Sequence, residues 1–203
     1  ESILERFAQG EDLTKEDLCA LLRVPVGSRD YYNLLAEANG YSRKAFEGKG
    51  LLFGQIGLDI QPCRINCKFC SLAADFLKGC TPFIRDLDDT VQLAKQLADS
   101  GVRDVFLMTT AEFSQERYLD YGRAVRAVLP DDVRLVANVG DFDEAYALRL
   151  RDAGFTGVYH ICRLGEGVDT GASVETRVRT LDAVRAAGLE LYYCVEPIGP
   201  EHT

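Results

Sequence analysis

The sequence predicts an α/β fold, a partial barrel of parallel strands and crossover helices preceded by an N-terminal helical extension. Three observations carry that expectation. From Leu51 onward short apolar runs alternate with amphipathic segments, the order of repeated strand–helix units around a parallel sheet. Glycine follows the helical segments in Ser100-Gly101, Ala153-Gly154 and Ala187-Gly188, where a left-handed cap releases the chain into the next strand. The first fifty residues, by contrast, carry only helical signals.

Taken in order, Ser2-Ile3-Leu4-Glu5 and Thr14-Lys15-Glu16-Asp17 resemble capping boxes, each followed by apolar residues at helical spacing such as Leu18, Leu21 and Leu22. A further stretch from about Arg29 to Glu47 carries Tyr32, Leu35, Ala36, Asn39 and Ala45 until Gly48-Lys49-Gly50 breaks it. Residues 1–50 therefore read as a helical lead-in packed on the barrel, and 51–203 as the barrel itself. Strands are predicted at Leu52 to Leu58, Val105 to Thr109, Arg134 to Val139, Gly157 to Cys162 and Leu189 to Glu196. Helices fall near Asp89 to Ser100, Gln115 to Val128, Asp143 to Ala153 and Ser173 to Ala187. Five such strands with four crossovers form most of a barrel without closing one. The sequence starts without Met and ends directly after a strand-like segment, so the expectation is a natural protein longer than this.

With 47% hydrophobic residues and 6 prolines in 203 residues, the chain has material for one substantial core. Its 32 acidic against 23 basic residues leave a formal charge of −9, a field that repels phosphate backbones, and nucleic acid is not an expected partner. No apolar run approaches the roughly 20 residues that span a bilayer, and Glu1 to Arg6 lacks the order of a signal peptide. The expectation is a soluble, cytoplasmic protein with no membrane partner. Seven cysteines is an odd number, three lie within eight residues, and in a reducing compartment that pattern points to a metal site rather than a disulfide framework.

The long connection from Asp59 to about Asp88 holds those three, in Cys63-Arg64-Ile65-Asn66-Cys67-Lys68-Phe69-Cys70. The C-x3-C-x2-C spacing lets one loop wrap three thiolates around one centre, and thiolates are the ligands of iron–sulfur clusters. A fully protein-ligated cubane takes four, so three leave one iron open. Two other readings share the motif. Structural zinc asks for a further ligand, and the histidines, His160 and His202, are far along the chain. A ferredoxin-like electron or cluster carrier asks for a fourth cysteine, and Cys80 stands ten residues on.

In this motif, with Phe69 just before the third cysteine, the chain resembles the radical S-adenosylmethionine (radical SAM) superfamily. Within it, the resemblance extends to the branch of biotin synthase, methylornithine synthase and the hydrogenase maturases. It rests on the helical lead-in, the cysteine loop and the helix Glu175-Thr176-Arg177-Val178-Arg179-Thr180-Leu181. Tyr159 to Gly167 and Glu196 to Thr203 look most like the methylase group of the [Fe]-hydrogenase cofactor, although that group uses a wider cysteine spacing. The resemblance implies a (βα) TIM-like barrel, a [4Fe–4S] cluster on Cys63, Cys67 and Cys70, and S-adenosylmethionine chelated to the open iron. One electron from a reductant such as flavodoxin or ferredoxin then breaks a carbon–sulfur bond. The resulting 5′-deoxyadenosyl radical takes hydrogen from a small-molecule substrate, a polar metabolite or cofactor precursor, in a methylation, rearrangement or fragmentation.

The resemblance also implies cofactor contacts. Phe69 packs beside adenine, the alternative being ordinary loop packing. Thr110 and Glu112 in Thr109-Thr110-Ala111-Glu112 hold the methionine amino group. Arg177 meets the methionine carboxylate, unless it is a solvated helix arginine or Arg179 takes its place. Ile198, with Gly199, cradles adenine, where Glu201-His202 departs from the usual residues. Biotin synthase carries a second cluster on cysteines of three strands. Val105 to Thr109 and Arg134 to Val139 contain none, so sulfur insertion by that route is not expected.

On the substrate side, residues at the carboxyl ends of barrel strands point into the active site. His160, Arg163 and Glu196 are the catalytic candidates, His160 for hydrogen bonding or proton transfer and the other two for carboxylate and amine groups. The bland alternative is a polar network that braces an open barrel.

Overall fold

The chain divides after Leu51 into two compact units, and the computed structural model describes residues 2–199. The first unit is three helices, α1 (Ile3–Ala8), α2 (Lys15–Leu22) and α3 (Arg29–Ala45). Each starts at a hydroxyl side chain that takes up an amide which the first turn leaves without a partner. Ser2 accepts from the Glu5 amide and Thr14 from the Asp17 amide. Glu5 and Asp17 each accept the cap's own N–H in return, so both capping boxes read from the sequence are present. Ser28 caps α3 through the Tyr31 amide. Arg6 of α1 pairs with Asp17 of α2, and the Phe7 ring lies 4.8 Å from Tyr41 of α3.

The second unit runs β1 (Phe53–Gly57), β2 (Asp59–Ile60), β3 (Phe83–Ile84), α4 (Leu87–Asp99), β4 (Asp104–Met108), α5 (Gln115–Arg126), β5 (Arg134–Asn138), α6 (Glu144–Asp152), β6 (Gly157–Tyr159), α7 (Val174–Ala186) and β7 (Glu190–Tyr192). Five strands pair in parallel in the order β1-β4-β5-β6-β7, so spatial order follows chain order and each step is made by one helix. This is the partial barrel the sequence predicts. The register keeps the strands level, with Gly57 beside Met108 and Met108 beside Asn138. Their carboxyl ends therefore open on one face.

Strand alternation sorts the side chains. Val105 and Leu107 of β4 and Leu135 and Ala137 of β5 are fully buried in one core with Ala94, Tyr118, Leu119, Val125 and Leu150 of the helices. Phe106 turns the other way, edge-on to Phe53 at 5.7 Å and to Tyr192 at 5.2 Å. At the amino ends of the strands Arg134 grips the buried Asp104 with two bonds of 2.6 and 2.8 Å, and the Tyr192 hydroxyl adds a third at 2.7 Å. Burial alone would raise the Asp104 carboxyl, but these bonds hold it below its ordinary range.

Two details differ from expectation. The strands predicted to reach Cys162 and Glu196 stop at Tyr159 and Tyr192. Beyond them the segments stay joined by sparser bonds, His160 N to Tyr192 O at 3.3 Å and Leu164 N to Glu196 O at 3.2 Å. The connection from Asp59 onward is not all loop either, because β2 and β3 pair antiparallel, Asp59 with Ile84 and Ile60 with Phe83.

Candidate functional site

That two-stranded clasp closes the base of the cysteine loop. Inside it, the Cys63 amide donates to Leu72 O and the Ala74 amide returns to Cys63 O, while the Asn66 and Cys70 amides donate to Cys63 O and Cys67 O. Asn66 takes left-handed backbone at φ 48, a conformation asparagine tolerates better than most residues. Its side chain exchanges two bonds with Asp75, one to the carboxylate at 2.7 Å and one from the amide at 3.0 Å.

Two other loops hold the cysteine loop from outside. After β4, Glu112 accepts from the Arg64 amide at 2.9 Å and from its guanidinium at 3.1 Å, and Arg64 also donates to Ala111 O. After β6, Lys68 N donates to Asp169 O and Lys68 Nζ to the Asp169 carboxylate at 2.8 Å, while the Gly171 amide donates to Ile65 O at 2.6 Å. A side chain at 171 would bring its Cβ to 3.0 Å from that same carbonyl.

A cavity of about 270 Å³ opens at the carboxyl ends of the sheet, lined by the last residues of four strands, Gly57, Met108, Asn138 and Tyr159. Cys63, Cys67 and Cys70 also line it, as do Thr110, His160, Arg163 and Arg177. Seven of the eleven residues predicted for the site thus share one cavity. Phe69, Glu112, Glu196 and Ile198 do not line it. Phe69 lies under the Arg163 guanidinium, 5.7 Å from ring centre to carbon, and Ile198 is exposed. Glu112 is engaged by Arg64 as described. The Thr110 hydroxyl donates to the buried Asp59, whose other oxygen accepts the Thr110 amide at 2.8 Å. Glu201 and His202 lie outside the described residues.

The charged groups interlock. Arg177 is 6% exposed, which rules out the solvated helix arginine. Its Nη1 meets both oxygens of Asp141 at 3.1 and 3.2 Å, and its Nε stands 3.5 Å from Glu166. Glu166, with no exposed side-chain surface, accepts the Arg163 amide at 2.9 Å and the Thr170 hydroxyl. Arg163 Nε is 3.4 Å from Glu196, so those two candidates face each other. His160 Nε2 lies 3.1 Å from Asp141 Oδ1. The polar network expected as the bland reading is present, and it borders the same cavity as the thiols. Asp141 was not among the predicted residues, since Gly140-Asp141-Phe142-Asp143 reads as the approach to a helix. Its position just past the end of β5 was the available signal.

Burial pushes the Cys67 thiol up, Cys70 and Cys63 add to the rise, and Arg163 and Arg177 oppose it. Metal ligation needs the thiolate, so those two guanidiniums favour the ligating form. Among the described residues no three His, Cys, Asp or Glu side chains converge closely enough to share one metal ion. A mononuclear zinc site fits poorly. A cubane fits better, because each thiolate takes a different iron, and the donor set is the three cavity-lining sulfurs.

The sequence profile of the radical SAM superfamily matches residues 60–199, which include the cysteine loop, the carboxyl ends of β4, β5, β6 and β7, and α7. The chain belongs to the radical SAM superfamily. Biotin synthase of Persephonella marina is 24% identical over 197 residues, and that of Corynebacterium urealyticum 27% over 199. These alignments cover 92% and 94% of this chain but 57% of each relative, so the chain spans little more than half their length. Among solved structures, methylornithine synthase superimposes with a TM-score of 0.77 at 20% identity over 96% of this chain and 57% of its own. The [FeFe]-hydrogenase maturase HydG does so with 0.78 at 13% over 95% and 45%. At such identities these likenesses establish the radical SAM fold. Radical SAM proteins use a [4Fe–4S] cluster with S-adenosylmethionine, and no helix of the described residues is long and apolar enough to cross a membrane.

Proposed function

We propose that this chain acts as a radical SAM enzyme on a small polar metabolite or cofactor precursor, by hydrogen abstraction leading to methylation, rearrangement or fragmentation. The observation that carries the reading is the convergence of Cys63, Cys67 and Cys70 on one cavity with His160, Arg163 and Arg177 at the carboxyl ends of the sheet. Cys63, Cys67 and Cys70 would hold the cluster. When bound and reduced by a carrier such as flavodoxin or ferredoxin, the cluster would supply the one-electron chemistry that cleaves S-adenosylmethionine to methionine and a 5′-deoxyadenosyl radical.

The protein's own part is to bind, orient and exclude water. Arg177 offers a buried guanidinium for the methionine carboxylate. Thr110 has its hydroxyl and amide committed to Asp59, and its carbonyl, which accepts the Phe113 amide at 3.4 Å, would offer its second lone pair to the amino group. Glu112 acts on the cofactor indirectly, by holding Arg64 and with it the cysteine loop. Phe69 and Ile198, outside the cavity lining, would flank the adenine at its border. Arg163 and Glu196 would separate to take up a substrate carboxylate and amine, and His160 supplies a polar contact. Sulfur insertion is not part of the proposal, since β4 and β5 carry no cysteine and Cys194 lies within hydrogen-bonding distance of the Tyr159 hydroxyl.

The test is anaerobic reconstitution with iron and sulfide, reduction with dithionite, and incubation with S-adenosylmethionine. The expected products are methionine and 5′-deoxyadenosine, both lost on Cys67→Ala. Deuterated candidate precursors then identify the substrate by label transfer into 5′-deoxyadenosine. A cluster that reduces normally but leaves S-adenosylmethionine intact would make the protein an electron or cluster carrier instead.

A further inference from the structure

Asp141 lies just beyond β5 and gathers groups from two other elements of the barrel. His160, after β6, is 4% exposed and meets Asp141 Oδ1 through Nε2 at 3.1 Å. Arg177 of α7 meets both carboxylate oxygens through Nη1, and the Thr180 hydroxyl of the same helix lies 3.3 Å from Oδ1. His160 and Arg177 line the cavity, while Asp141 stands behind them.

Each of these contacts selects one arrangement among several. An arginine side chain has many rotamers, and Asp141 at Nη1 together with Glu166 at Nε restricts where the guanidinium lies. Nη1 alone meets Asp141 and the buried Nε faces Glu166 at 3.5 Å, so Nη2, which makes no hydrogen bond among the described residues, remains for a ligand carboxylate. An acceptor at Nε2 likewise selects the Nε2–H tautomer of a neutral imidazole and leaves Nδ1 as the ring's acceptor. A carboxylate does both at once, because it accepts and cannot donate. An asparagine that keeps its oxygen at the Oδ1 place presents a donor where Oδ2 faces Arg177.

We infer that Asp141 is a positioning residue that sets the Arg177 guanidinium for the methionine carboxylate and fixes the tautomer of His160. This rests on the reading of Arg177 given under the proposed function. The test uses the anaerobically reconstituted holoprotein with its cluster oxidised, so that no turnover occurs. Calorimetry measures S-adenosylmethionine binding to wild type, Asp141→Asn, Arg177→Lys and the double variant. Asp141→Asn is expected to raise the dissociation constant about tenfold, the worth of one bond to a charged group. The double variant is expected to bind no more weakly than Arg177→Lys alone, because Asp141 acts through Arg177.

Histidine-labelled protein, with only two histidines to assign, gives a second readout in ¹⁵N spectra. The Nε2–H signature of His160 is expected in wild type, kept in Asp141→Asn, whose oxygen can hold the Oδ1 place, and lost in Asp141→Ala. Should Asp141→Asn fold poorly, Thr180→Val tests the same site by loosening the carboxylate without changing charge, with a smaller weakening in the same direction. Unchanged affinity in Asp141→Asn with a weakened Arg177→Lys would overturn the inference alone, as would effects that multiply in the double variant. Unchanged affinity in Arg177→Lys would overturn the reading of Arg177 and the inference with it.

Discussion

Asn66 sits between Cys63 and Cys67 at φ 48, and the two bonds it exchanges with Asp75 hold the turn that brings the first two thiols to the same cavity. A β-branched residue at positive φ is strained by about 1 to 3 kcal/mol. Glycine takes the conformation freely and loses only the exposed side-chain bonds. Asn66→Val is therefore expected to load distinctly less iron on reconstitution than wild type, while Asn66→Gly stays close to it. Equal loading of Asn66→Val would show that the loop reaches its ligating shape without this turn. The same contrast in cluster-free protein should be small in melting temperature, because the loop's buried residues, Cys67 and Ala73, stand outside the main core cluster.

Among the elements, α5 joins two strands through one residue. Tyr118 sends its hydroxyl to Leu107 O at 2.8 Å and takes the Asn138 amide at 2.9 Å, so one helix residue ties β4 to β5. The Phe155 ring stacks on Tyr118 at 5.3 Å and 7°, and it fills the space beside Gly122. In a bare helix Gly→Ala would stabilise by roughly 1 kcal/mol. Here the new methyl overlaps a fully buried ring that has no room to turn, and overpacking of that kind costs about 1 to 3 kcal/mol. Gly122→Ala is expected to lower stability in denaturant, and Phe155→Leu in that background to recover part of the loss. A stabilised Gly122→Ala would mean that propensity wins.

The strands and helices of this sheet were legible because their apolar periodicity and glycine stops are local signals, and α4 to α7 fall within about two residues of expectation. The clasp of β2 and β3 was not, since two-residue strands show no alternation. Arg177 and Glu112 illustrate the same limit at the site. One arginine of Arg177, Arg179 and Arg185 turns inward because Asp141 and Glu166 wait there, and Glu112 faces Arg64 rather than the cavity. Which partners meet is a property of the assembled sheet.

At the scale of the barrel unit, the two ends of the sheet are set by carboxylates, the partly buried Asp141 at the carboxyl end and the buried Asp104 at the amino end. Both are held below the ordinary carboxylate range against the opposing pull of burial, Asp141 by His160 and Arg177, Asp104 by Arg134 and Tyr192. A carboxylate whose folded pKa lies below its unfolded value of about 3.9 stabilises the fold fully above that pH. Its contribution drains as pH falls through the lower folded value. Asp104 joins β4, β5 and β7 with three bonds, so its loss is felt across the sheet rather than at one strand. Asp104→Asn is expected to cost about 1 to 3 kcal/mol at pH 7, with Arg134 partly exposed and screened. The gap from wild type should narrow steadily between about pH 4 and pH 2, where wild type also loses the charge. Urea unfolding of the cluster-free protein across that range measures it. A gap that stays constant down to pH 2 would mean that Asp104 works through shape and neutral hydrogen bonds, and that its charge contributes nothing to holding the strand ends together.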